Sequence, residues 1–161
     1  MKELNQKLAQ IQTELKAKKS SYNSFGKYYF RKAEDILEAI KPFLLKHGVT
    51  VTLNEELIMV VNNDTTDPVP TIKSTATITD GKDAIHATAI VGVDLNQKGM
   101  QTAQQFGAAS SYGKKYALGN LFLIDDTQDS DATNNHGKSN AVNKIKQAAK
   151  PAITKEQIAK A

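Results

Sequence analysis

Between Asp94 and Asp125 the chain carries no acid, yet it holds Lys98, Lys114 and Lys115 among the aromatic residues Phe106, Tyr112, Tyr116 and Phe122. Ammonium groups neutralise phosphates, phenol rings offer π-faces to bases, and carboxamides both donate and accept hydrogen bonds. On a helix, Gln101, Gln105, Ala108, Tyr112, Lys115 and Tyr116 share one sector, while Ala103, Gly107, Ser110 and Ala117 lie roughly opposite. The first group can serve as a platform for a single nucleic-acid strand. Glycine within a helix costs about 1 kcal/mol relative to alanine, so the small-residue side is expected to pack closely, against a sheet. The competing reading makes the tyrosines no more than the edge of a core.

A second window without acids runs from Leu15 to Ala33. It contains Lys16, Lys18, Lys19, Lys27, Arg31 and Lys32 beside Tyr22, Phe25, Tyr28, Tyr29 and Phe30. Of all the aromatic residues only Phe43 lies outside the two windows. A solvated basic loop over buried rings would account for either window alone. Their recurrence favours a polyanionic partner more than the modest net charge of +4 does.

These windows need elements to hold them. Leu4, Leu8, Ile11 and Leu15 recur at helical spacing and predict an amphipathic N-terminal helix, whose narrow seam packs on its own domain or between subunits. Ser20 to Phe30 breaks the period with Asn23 and Gly26, predicting a loop or irregular strand. Lys32 to His47 reads as a second helix, acidic at its start and ended by Lys46, His47 and Gly48. Pro42 lies inside it and should kink it near Glu38 to Ile40 or open a separate last turn.

Val49 to Val61 alternates as a strand, with a bend or bulge expected at Glu55 and Glu56. Asn62 to Pro70 consists of turn residues. Thr71 to Thr79 places threonines and Lys73 on one face and Ile72, Ser74, Ala76 and Ile78 on the other. Asp80-Gly81 signals a hairpin, and Lys82 to Val93 is the return strand. The predicted fold is α+β: a three-stranded antiparallel meander packed by helices, a β-β-β-α core with an added N-terminal helix. Leu118 to Ile124 should tuck into the core after Gly119.

A domain over residues 1–124 is expected, followed by a flexible tail over 125–161, because the stretch DDTQDSDATNNHGKSN cannot bury enough apolar surface to offset its ordering entropy. Within the tail, Ala141 to Ala149 and the capping-box outline Thr154 to Gln157 could form short helices that would not persist alone in water, so the tail is either an unstructured spacer or a docking segment that folds on a partner. The absence of cysteine, with His47, His86 and His136 isolated, gives no metal-ligand spacing. Gly107 to Lys115 fails as a phosphate loop: the spacing is one residue too long and Lys115 stands where a Ser or Thr is required. Asp125, Asp126, Asp129 and Asp131 do not fit a calcium loop in any register. Neither catalysis nor a cofactor is indicated. With no secretory signal and no apolar run long enough to span a membrane, a cytoplasmic protein is expected.

The segment Gly99 to Ala132, GMQTAQQFGAASSYGKKYALGNLFLIDDTQDSDA, resembles the signature of the ERF family of phage single-strand annealing proteins. So does Tyr28 to Val51, YYFRKAEDILEAIKPFLLKHGVTV, and the likeness runs in unbroken order from about Tyr22 to Ala132. This resemblance implies binding of single-stranded DNA, annealing of complementary strands without nucleotide or metal, and assembly into homo-oligomeric rings or filaments. It also implies a bacterial host cell and a mobile C-terminal region able to contact the host single-strand-binding protein. By the same implication Lys27, Arg31, Lys32, Lys114 and Lys115 grip phosphates, and Tyr28, Tyr29, Tyr112 and Tyr116 meet sugars or bases. Gln101 and Gln105 supply hydrogen bonds. Where family members usually carry Ala-Arg-Arg-Tyr this chain has Gly113-Lys114-Lys115-Tyr116, which keeps the charge but gives up the bidentate grip of arginine. The rival readings are a scaffold protein with incidental basic surface and a double-strand-binding regulator, the latter without a helix-turn-helix pattern.

Overall fold

The computed structural model describes residues 1–61 and 68–124. The expected spacer and short helices of the C-terminal tail lie outside the described residues, as does most of the turn between the first two long strands.

The N-terminal helix α1 (Lys2–Glu14) turns its seam inward: Leu4, Leu8 and Ile11, with Leu15 just beyond, are all buried. They join one core with Ile36, Ile40, Ala76, Ile78, Leu118, Leu121 and Phe122. The seam therefore closes on its own domain. Gln12 Nε2 donates to the Leu121 carbonyl at 2.8 Å, tying α1 to the last turn of the long C-terminal helix. Gln12→Ala should cost about 1 kcal/mol, read as a small fall in the midpoint of urea unfolding.

Residues predicted as a loop or irregular strand form a short hairpin, with β1 (Ser21–Asn23) antiparallel to β2 (Tyr28–Phe30). Helix α2 (Ala33–His47) follows; its first exposed backbone N–H, at Lys32, is bound by Asp35 Oδ2 at 2.7 Å. Pro42 sits inside the helix, so the separate last turn does not occur, and Gly48 ends it as the Lys-His-Gly stop predicted.

The meander is present as expected, in the order β3 (Thr50–Val60), β4 (Val69–Thr79), β5 (Ala84–Gly92), antiparallel throughout. The bulge expected at the paired acids is absent: pairing runs residue for residue from Thr50↔Thr79 to Val60↔Val69. Both acids fit because they point to opposite faces. Glu56 lies on the threonine-rich outer face, 3.4 Å from Lys73 Nζ. Glu55 lies on the inner face opposite Ser74.

Helix α3 (Thr102–Phe122) lies mainly over β4 and β5. It does not stop near Gly119; Leu118, Leu121 and Phe122 are buried as part of the helix itself. Asn120 Nδ2 donates to the Thr88 carbonyl at 2.9 Å, occupying one backbone acceptor of the edge strand β5. Among the described residues, no helix is long and apolar enough to cross a membrane.

Candidate nucleic-acid interface

The side of α3 that meets the sheet is not the expected one. Gln105, Ala109, Gly113 and Ala117, each four residues on from the last, form the buried stripe, whereas Ala103 and Gly107 are exposed. In the first half of the helix the stripe lies roughly 160° around from the predicted Ala103 and Gly107, at about 100° per residue. Gly113 explains the choice. A Cβ there would fall inside van der Waals contact of Ser74 Oγ and 3.2 Å from Ser74 Cβ, whereas one at Gly107 would meet nothing within 4 Å.

Beneath Gly113 lies a polar cluster that joins α3 to the sheet. Glu55 accepts hydrogen bonds from Ser74 Oγ at 2.9 Å and Ser110 Oγ at 2.7 Å, and Lys114 Nζ stands 3.3 Å from its Oε2. Partial burial by itself would raise the pKa of Glu55, but the bonds from Ser110, Ser74 and Lys114, together with the lysine charge, hold it below its ordinary 4.5. A depressed carboxylate contributes stability that is fully present above its ordinary pKa and is lost as pH falls through the folded value. Glu55→Gln should therefore lower the melting temperature at neutral pH, and the difference from wild type should shrink as the medium is acidified below about pH 4. Thermal melts across a pH series read both. A constant difference at every pH would mean that the charge of Glu55 has no part in joining α3 to the sheet.

Among the residues singled out for a nucleic-acid strand, α3 brings three together. The rings of Tyr112 and Tyr116 are 6.0 Å apart, and Lys115 Nζ lies 5.0 Å from the Tyr116 centroid and 5.8 Å from that of Tyr112. The ammonium is thus held by cation–π attraction, with Lys115 only 7% exposed. Tyr112 is half exposed. Lys114 is partly exposed but engaged with Glu55. Gln101 is exposed at the helix start, where Gln104 Oε1 binds its backbone N–H at 3.0 Å. Gln105, by contrast, is buried and donates to the Gln97 carbonyl at 3.3 Å, so its amide anchors the loop before α3.

The other residues sit on or beside the β1–β2 hairpin, and neighbours in sequence part company there. Tyr28 and Tyr29 fall on opposite faces by strand alternation. Tyr28 turns toward Phe30, 6.2 Å between ring centroids, and its hydroxyl accepts from Asn23 Nδ2 at 2.9 Å. Tyr29 is exposed and pairs with Tyr22 at 4.9 Å. Lys27 is exposed in the turn at φ 56°. Arg31 is buried, its Nε donating to the Ala17 carbonyl at 2.8 Å, which ties the hairpin base to the segment after α1. Lys32 is exposed at the start of α2.

Sequence reasoning counted Tyr22 and Phe25, both exposed on the hairpin, in the second window without assigning either a contact, and it passed over the bond between Glu55 and Lys114. The first could have been found from Asn23-Ser24-Phe25-Gly26, whose turn-forming ends permit a hairpin register that sets Tyr22 against Tyr29. The second has a weaker signal: parity alone puts Glu55 on the same side of the strand as the partly buried Val51 and Leu53.

A family model described as the ERF superfamily matches residues 4–158. An Essential recombination function protein of Salmonella phage P22 is 44% identical over 140 residues, which make up 87% of this chain and 64% of the phage protein. The chain thus spans a little under two thirds of the length of that relative. No solved structure matches.

Proposed function

We propose, from the premise that this chain belongs to the ERF superfamily, that it acts in DNA recombination by binding single-stranded DNA and annealing complementary strands without nucleotide or metal. The observation that carries this reading is the set of tyrosines and lysines on α3, with Tyr112 and Lys114 reaching solvent beside the Lys115 ammonium. Annealing requires a strand held by its backbone with bases presented outward. Lys114, Lys27 and Lys32 are exposed enough to meet phosphates directly. Arg31 and Lys115 would contribute field from beneath the surface, or open toward the strand when it binds. Assembly into a ring or filament, with residues 125–161 contacting a host single-strand-binding protein, completes the proposal.

The test is to mix two complementary oligonucleotides with and without the protein and time duplex formation, with double-stranded competitor in parallel. The reading requires faster annealing and preference for the single strand. The burial of Arg31 and Lys115 favours a second reading, a scaffold whose cations serve its own packing. Failure to be retained on a single-stranded DNA column at physiological salt would favour it.

A further inference from the structure

The β1–β2 hairpin exposes three aromatic rings for which the fold has no use. Phe25 at the tip is 87% exposed, Tyr22 53% and Tyr29 61%. Packing is supplied by the other face, where Tyr28 and Phe30 turn inward and are only partly exposed. Such exposure is expensive unless it serves a partner.

The tip is also held in shape. Asn23 Oδ1 accepts from the backbone N–H groups of Phe25 and Gly26, both at 3.0 Å, and Asn23 Nδ2 donates to the Tyr28 hydroxyl. The Tyr28 ring occupies the space that a Cβ on residue 26 would need, and Lys27 adopts the left-handed conformation that closes the turn. One asparagine thus fixes both the turn and the buttress under it. A ring presented this way loses little conformational freedom when it binds.

The charge around the rings says what they bind. No acid occurs from Leu15 to Ala33, while Lys18, Lys27 and Lys32 are exposed before, within and after the hairpin. Lys19 Nζ is buried with no hydrogen-bond partner among the described residues. Flat apolar faces among exposed cations suit an unpaired nucleic-acid strand, whose bases stack while its phosphates lie near the lysines.

Resting on the reading proposed above, we infer that this hairpin is a base-stacking element: Phe25 inserts between successive bases of the bound strand, and the Tyr22–Tyr29 pair supports a neighbouring base. Insertion spreads the bases apart and leaves their pairing edges open to an incoming complement. The hairpin thereby acts on the annealing step as well as on affinity.

The experiment uses the full chain and a single-stranded oligonucleotide containing 2-aminopurine, whose fluorescence rises on unstacking. Wild type should bind with increased fluorescence. Phe25→Ala should weaken binding roughly 5- to 10-fold, as expected for one lost stacking contact. It should also abolish most of the fluorescence rise, slow annealing, and leave the salt dependence unchanged because no phosphate contact is removed. Phe25→Leu, which keeps apolar bulk without a π-face, should behave like alanine, and Phe25→Trp should behave like wild type. Lys27→Ala should do the reverse, lowering the salt slope by about 0.7 while keeping the fluorescence rise.

Wild-type affinity and fluorescence in Phe25→Ala would overturn the hairpin's role while leaving single-strand binding intact. A fall in particle mass by light scattering in Phe25→Ala, with unchanged fluorescence per bound strand, would assign the tip to contact between copies of this chain and overturn it equally. Absence of wild-type binding would overturn this inference together with the function it rests on.

Discussion

Replacing Lys114 and Lys115 together with alanine is expected to weaken binding to single-stranded DNA roughly 25-fold at about 0.1 M salt, nearly uniformly across sequences. The figure follows from counterion release: each phosphate neutralised on a single strand contributes about 0.7 to the slope of log K against log salt. Two such contacts make about 1.4, or roughly 25-fold across the decade below 1 M salt. The structure qualifies how the two lysines contribute. Lys114 must exchange Glu55, 3.3 Å away, for a phosphate, so part of its gain is offset. Lys115 sits against Tyr112 and Tyr116, and its removal also takes apolar stem from a buried position. Titrations at several salt concentrations, with a thermal melt of each variant, separate lost charge from lost fold. Unchanged affinity and slope in a folded double variant would remove α3 from the DNA site.

Gly113→Ala is expected to destabilise the domain by about 2 kcal/mol, within the usual cost of overpacking. The added methyl displaces Ser74 Oγ, and because Ser74 is fully buried and donates to Glu55, the displacement also breaks the bond at the centre of the polar cluster. In a domain of this size that amounts to several degrees in melting temperature. Ser74→Gly made alongside Gly113→Ala should recover much of the loss, since the clash is with the serine side chain alone. A double-mutant cycle checks this. Additive penalties would show that the helix is repelled by something other than Ser74.

Much of the architecture was legible because it depends on local periodicity. Strict alternation from Thr71 to Thr79 identified Ile72, Ser74, Ala76 and Ile78 as the inner face, and the structure places them there. The seam of Leu4, Leu8, Ile11 and Leu15 likewise identified an amphipathic helix, but not which of two surfaces would cover it. The candidate site was less legible. Tyr28 and Tyr29 are chemically alike and adjacent, yet only the pairing of Tyr22 with Tyr29 turns one ring inward and the other to solvent.

The chain by itself determined the composition of its two acid-free windows, the meander, the helices and membership in the ERF superfamily. The period of a strand or helix is a property of the backbone, so residue order reveals it directly. Only the tertiary structure decided which side of α3 meets the sheet, that Gln105 is anchored inside, that Lys114 answers to Glu55, and that Phe25 stands in solvent. Each of these depends on what lies opposite in space. For α3 the deciding contact is Gly113 over Ser74, two residues 39 positions apart whose fit no periodicity within either segment expresses.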